Sequence, residues 1–195
     1  GEPSNELNAE GTDYVADPEG SVSVITLPKE VAAPTQADAR IAGFTAFDGK
    51  PLPEGVRVFG PSGHEAKPSI DFEPEYISSQ AGKAYVTLQE ANAIAVIDLS
   101  TNKVTGIYSA GFEDYSKVAV DIDKKDEKYN AKTYESLLGI RMPDGIALYS
   151  TGGTDYVITA NEGDSREWGD YLNEDERNFK DGETSPTGKI TAENS

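Results

Sequence analysis

Carboxylates are the residues of this chain best suited to chemistry. Glu73 and Glu75 flank a proline in Glu73-Pro74-Glu75, and Glu90 follows the run Tyr85-Val86-Thr87-Leu88-Gln89. Asp144 sits in Met142-Pro143-Asp144, and Asn161, Glu162 and Asp164 close the segment Thr159-Ala160-Asn161-Glu162-Gly163-Asp164. Glu2 and Glu19 occupy similar turn positions. Hard oxygen donors of this kind suit Ca²⁺, with Mg²⁺ as an alternative, and Asn161 together with backbone carbonyls would complete a shell. The simpler reading is that each carboxylate accepts a nearby backbone N–H in a turn. Asp121, Asp123 and Asp126 form a second acidic group, but Lys124 and Lys125 stand among them, which favours a solvated charged loop.

Other reaction classes find little support. There are no cysteines, so disulfides, zinc-thiolate sites and thiol nucleophiles are excluded. The single histidine, His64, lies in a turn-like Pro-Ser-Gly-His-Glu stretch, and no Gly-x-Ser-x-Gly elbow accompanies it. A metal-assisted phosphoesterase would need clustered ligands and an activated nucleophile, and most two-metal sites use more than one histidine. Arg166 is suited to a phosphate oxygen or, more simply, to a neighbouring carboxylate. Trp168 and Tyr171 offer an aromatic contact for carbohydrate or protein, or else pack within a loop. Glu73 and Glu75, two apart, would lie on one side of a regular strand about 6–7 Å apart, a weak glycosidase signal. With 17 Lys plus Arg against 35 Asp plus Glu, the net charge of −18 repels a phosphate backbone and argues against nucleic acid. No apolar run approaches the roughly 20 residues that span a bilayer. The chain opens on Gly1 without a signal-like segment, the pattern of a processed or trimmed N-terminus.

Repetition indicates what positions these residues. Gly82–Leu99 reads GKAYVTLQEANAIAVIDL, and Gly11–Leu27 reads GTDYVADPEGSVSVITL. Gly11, Tyr14, Val15 and Glu19 fall on Gly82, Tyr85, Val86 and Glu90. With one extra residue in the turn, Val22, Val24, Ile25 and Leu27 fall on Ile94, Val96, Ile97 and Leu99. A third copy begins at Gly153 with GTDYVITANEG. Each copy is a strand, a polar turn and a returning strand, rich in Tyr, Val, Ile and Thr between Gly, Asn, Asp and Pro.

The second copy is the most complete. It predicts strands over Glu75–Ser79, Ala84–Leu88, Ile94–Leu99 and Lys103–Ser109. Four antiparallel strands in about 40 residues is the size of a propeller blade. The fold class expected is therefore all-β: a β-propeller of four-stranded antiparallel blades, here an incomplete set of about three, with long loops. Residues 1–168 would form the blades and 169–195 an acidic loop or disordered tail. The Pro- and Gly-rich stretch 28–70 suggests a strand near Val56–Phe59, and Tyr134–Leu138 suggests one short helical turn. Closed propellers have four to eight blades, so the remaining blades, or another chain, are expected to complete the fold. In such a blade the connection entering the first strand and the turn after the second lie on one face. Glu73, Glu75, Glu90, Asp144, Glu162 and Asp164 would then gather there.

These segments resemble a known family. Gly82-Lys83-x-x-Tyr85-Val86 followed by Ile97-Asp98-Leu99 is similar to the YVTN type of propeller repeat. Gly1-Glu2-Pro3, Asp13-Tyr14, Asp17-Pro18-Glu19-Gly20-Ser21-Val22, Glu73-Pro74-Glu75-Tyr76-Ile77, Tyr85–Glu90, Met142-Pro143-Asp144 and Thr159–Asp164, in that order, resemble the bacterial choice-of-anchor I domain. That family is related to mesenchyme-specific cell-surface glycoproteins, and some members are described as alkaline phosphatase-like. The resemblance implies secretion or cell-surface (or periplasmic) placement, attachment by varied anchors, and a propeller longer than this chain. It also implies an acidic Ser-Asp-x-Asp-Gly loop. The corresponding stretch, Asp121-Ile122-Asp123-Lys124-Lys125-Asp126-Glu127, lacks the glycine of a tight calcium loop. Two functions follow: a calcium-binding surface module for recognition or scaffolding, with carbohydrate, protein or phosphate as ligand, and alternatively a metal-dependent phosphoesterase.

Overall fold

The second repeat folds into the most regular part of the molecule. In the computed structural model, β3 (Pro74–Gln80), β4 (Lys83–Leu88), β5 (Ala93–Asp98) and β6 (Lys103–Ser109) form one antiparallel sheet in the order β3-β4-β5-β6. The structure describes residues 4, 8–10, 14–58, 66–122 and 127–163, together with the backbone of 184–185 and 188–189. The four observed strands match the four expected ones to within a residue or two at each end.

The sheet's side chains explain why it forms. Residues 84, 86 and 88 of β4 and 93, 95 and 97 of β5 turn one face inward, and all six are buried. The register pairs Ala84 with Ile97, Val86 with Ala95 and Leu88 with Ala93, so a small residue opposes a large one at each step. Cross-strand complementarity of this kind fills a face without voids. Phe44 and Phe72, both fully buried, join the same cluster with Val22, Ala42 and Ile107. Their rings meet edge to face, 5.5 Å between centroids and 70° between planes.

Turns close the strands by local chemistry. Ala81 and Gly82 between β3 and β4 both have positive φ, as do Gly152 and Gly153 between β9 and β10, which matches the twist of a two-residue hairpin. The β5–β6 turn is held by Asp98, whose Oδ1 accepts from the Ser100 and Thr101 N–H groups at 2.8 and 3.0 Å. Before the sheet, the 3-10 turn Pro68–Ile70 is anchored by Asp48, which accepts from the Ser69 N–H and hydroxyl at 3.1 and 2.9 Å.

The flanking repeats supply shorter pieces. The first gives β1 (Ser21–Ile25), paired with β2 (Ala39–Gly43). Gly20 enters β1 so close to the next segment that a Cβ would stand 2.0 Å from the Phe72 carbonyl oxygen. The third gives a long hairpin of β9 (Pro143–Thr151) and β10 (Thr154–Asn161). It lies beside β3 and β4 and is tied to them through Gln80, which donates to Ser150 Oγ and to Asp155 Oδ1, the latter at 3.2 Å. Between the second and third repeats, β7 (Phe112–Asp114) pairs with β8 (Leu138–Ile140), and a short ladder joins β11 (Thr184–Ser185) to β12 (Gly188–Lys189).

The fold is all-β in several small antiparallel sheets, and among the described residues no sheet closes into a propeller or barrel. Two local expectations are corrected. Residues 56–58 are not a strand; Val56 leans on the core from a loop, and the Arg57 N–H donates to the Ala91 carbonyl at 2.9 Å. Tyr134–Leu138 is not helical: Leu138 opens β8, and the Tyr115 N–H donates to the Leu137 carbonyl. Phe59, the last residue of the first stretch, and most of the 169–195 tail lie outside the described residues.

The loop after β7 carries the clearest charge effect. Asp114 accepts from the Ser116 N–H at 3.0 Å and meets Lys117 Nζ at 2.6 Å. The Lys117 ammonium first, then the Ser116 donors, lower the Asp114 pKa to about 2. A carboxylate whose folded pKa lies below its unfolded value contributes stability above the unfolded pKa and loses it as pH falls through the folded one. Asp114→Asn is therefore expected to flatten the acid limb of the stability curve between about pH 4 and pH 2. Urea midpoints measured across that range check this, and parallel curves for parent and variant would refute it.

Candidate functional site

One end of the sheets collects the starts of β3, β5 and β9 and the ends of β4, β6 and β10, and a buried amide holds them together. Asn92, fully buried in the β4–β5 turn, has a positive φ of 51°. Its Oδ1 accepts the Met142 N–H at 3.0 Å, and its Nδ2 donates to the carbonyls of Gly55 and Gly111, each at 3.1 Å. One side chain thus joins the loop before β9, the loop after β6 and the loop carrying Arg57. Its own carbonyl accepts the Ala110 N–H at 2.8 Å. Buried Gln89 adds a second link, donating to Glu162 Oε2 at 3.3 Å, while the Glu162 N–H donates to the Met142 carbonyl at 3.2 Å. Arg141 reinforces the same junction through the Ala110 carbonyl at 2.9 Å and Glu113 at 3.5 Å.

The proposed ligands are distributed around this junction in different environments. Glu73 lies just before β3 and is buried at 4% exposure, beside equally buried Asp71. Glu75 is exposed, at the point where the β3–β4 register shifts between Pro74 and Ile77. Glu73 and Glu75, two apart in the chain, thus sit in different environments, one buried and one exposed. Glu90 is half-buried in the β4–β5 turn, and neither it nor Glu73 nor Glu75 lacks an interaction partner. Asp144 is half-buried in β9. Asn161, exposed at the end of β10, pairs in register with Pro143 and accepts from the Thr159 hydroxyl at 2.8 Å. Glu162 is exposed and takes the Gln89 amide.

Among the described residues no three acidic or imidazole groups converge as a ready cation cage. Asp164 lies outside the described residues, as do Glu2, His64, Asp123, Asp126, Arg166, Trp168 and Tyr171. Asp121 serves its own loop, accepting the Asn130 N–H at 2.8 Å next to the Val120–Lys132 bridge. Asn92, Gln89 and Arg141 were not singled out from sequence. A polar residue in a β-turn looks like any turn residue, and only the Asn in the third position after Gln89, matching a positive-φ site, offered a signal.

The family model for the choice-of-anchor I domain matches residues 1–194. The chain belongs to the choice-of-anchor I domain family. No curated protein and no solved structure matched it. For this choice-of-anchor I chain, the membership agrees with the ordered motifs along the sequence, several of which build the strand-end junction. Leu88-Gln89-Glu90 supplies the Gln89 link, Met142-Pro143-Asp144 supplies the Asn92 contact, and Asn161-Glu162 supplies the end of β10. Among the described residues no helix is long and apolar enough to cross a membrane.

Proposed function

We propose that this chain is a propeller-type module of a secreted or cell-surface protein, with a recognition or scaffolding role, whose acidic strand-end loops bind Ca²⁺. The observation that carries the reading is the Asn92 and Gln89 junction, which ties the β4–β5 turn bearing Glu90 to the start of β9 at Asp144 and to the end of β10 at Asn161 and Glu162, the same end of the sheets at which Glu73 precedes β3. The donors there are carboxylate, amide and backbone oxygens, without cysteine, which favours a hard cation, Ca²⁺ ahead of Mg²⁺ because it accepts irregular shells. Asp164, two residues beyond Glu162, belongs to the same proposed set. Family membership supports the surface placement.

A partner role follows from β10. It pairs only with β9 among the described strands, and Tyr156, Val157 and Ile158 are each more than a third exposed. In the second repeat the corresponding strand, β4, is flanked on both edges. A further strand, from remaining blades or another chain, is the proposed occupant of that edge.

The test is a thermal melt in EDTA and then in excess Ca²⁺. Saturation at about 100 times the dissociation constant adds about 2.7 kcal/mol. For a chain of this size that is a rise of roughly 5–11 °C. Glu162→Gln is expected to shrink the rise, and Mg²⁺ to produce less of it. Identical melts with and without Ca²⁺ would reject the metal reading.

A further inference from the structure

A cleft at the opposite end of the four-stranded sheet has a different chemistry. It measures about 560 Å³ and opens at the seam where β2 runs beside the β5–β6 turn and the start of β6. Arg40, Ile41 and Gly43 of β2 form one wall, and Asn102, Lys103 and Val104 form the other. The volume lies within the range of small-molecule sites. In a chain of net charge −18, no carboxylate lines it.

The nearby acids make their hydrogen bonds elsewhere, and Asp38 meets Arg40 only through a weaker charge attraction. Asp38 accepts from the Thr35 N–H and hydroxyl at 2.7 and 2.8 Å. Asp98, opposite Lys103 in register, gives its Oδ1 to the Ser100–Thr101 turn. Arg40 commits one guanidinium nitrogen to the carbonyls of Ala37 and Ala39, which fixes the group and leaves its remaining N–H donors. The Lys103 ammonium makes no hydrogen bond or ion pair among the described residues. Asn102 Oδ1 is buried and has no hydrogen-bond partner there. A buried acceptor without a donor is costly and marks a place where a donor is missing.

The lining therefore asks for three things in one ligand: an anionic group for Arg40 and Lys103, a hydroxyl donor for Asn102, and a C–H surface for Ile41 and Val104. We propose that this cleft binds an anionic polyol, a sugar acid or sugar phosphate, free or at the end of a glycan. The site is independent of the calcium reading, since none of its residues belongs to the acidic strand-end loops.

Titration calorimetry and amide chemical shifts on the whole chain, in EDTA, test it with glucuronate, glucose 6-phosphate, glucose and acetate. EDTA removes any cation bridge, so a failure here says nothing about calcium. At least one of the two anionic sugars is expected to bind about tenfold or more tighter than both glucose and acetate, and the better one names the preferred charged group. Binding should weaken as NaCl rises from about 20 to about 500 mM. Asn102→Gly keeps the positive-φ turn (φ 54°) and removes the side-chain amide with its acceptor, so affinity should fall roughly three- to tenfold. Gly43→Val meets no neighbour within 4 Å of its Cβ and should block the cleft without disturbing β2. Lys103→Gln should weaken the salt dependence, with Arg40 keeping the remainder. Equal affinity for glucose and glucuronate, absence of binding by every probe, or unchanged binding in Asn102→Gly and Gly43→Val would overturn the proposal.

Discussion

Asn92→Ala is expected to lower stability by roughly 3–5 kcal/mol. The side chain satisfies three backbone groups at once, the Met142 N–H and the Gly55 and Gly111 carbonyls. Leaving a buried polar group unsatisfied costs about 1–3 kcal/mol, and here water must enter or all three remain unpaired. Alanine also tolerates the positive φ of this position poorly, adding about 1 kcal/mol. For a domain of this length the loss corresponds to a fall in Tm of roughly 6–20 °C. Asn92→Gly keeps the backbone geometry and isolates the hydrogen-bond share. Asn92→Asp replaces the amide donor with a second acceptor facing two carbonyls and should be at least as harmful as alanine. Circular dichroism melts rank the three variants, and hydrogen exchange at the Met142 amide reports the junction directly. An alanine variant melting within about 2 °C of the parent would show that the three contacts are dispensable.

Phe72→Ala should produce a loss of similar size, about 3–5 kcal/mol, for a different reason. Phe72 is fully buried and stacks edge-on with Phe44, and together they cover the inward face of β4 and β5. Truncation leaves a cavity that the surroundings close poorly, because Gly20 already packs against the Phe72 backbone and the Pro68–Ile70 turn is held by Asp48. Phe72→Leu retains most of the volume and should cost less than half as much. The double variant with Phe44→Ala should fall short of additivity by about 0.5–1.5 kcal/mol, the share carried by the ring pair. Urea unfolding of these variants and of Phe44→Ala alone measures the coupling, and strict additivity would mean that the two rings act independently.

The strand pattern of the second repeat was legible in the residues because it is local. Alternation of 84, 86, 88 and 93, 95, 97 fixes which face turns inward, and Gly82 and Asn92 mark where the chain must reverse. The repeat also gave the order of strands and turns, since equivalent strands run the same way. Net charge and the lack of cysteine limited the chemistry without any structure.

Tertiary structure decided the rest. Val56 and Arg57 follow Pro51, Pro53 and the positive-φ Gly55, which deny them a ladder, and their N–H groups donate instead to the Pro53 and Ala91 carbonyls at 3.1 and 2.9 Å. The Tyr134–Leu138 stretch has a helical composition, but pairing of Leu138–Ile140 with Phe112–Asp114 outweighs a one-turn helix, whose nucleation is unfavourable. Glu73, just before β3, is buried and Glu75 is exposed at the point where the β3–β4 register shifts between Pro74 and Ile77. Asn92 joins residues 37 and 50 positions away, so its role is visible only once three loops meet. Composition and period determine which residues turn inward along a strand. Which of the polar residues left at the strand ends become buried ties, and which stay exposed and able to meet a ligand, depends on partners far along the chain.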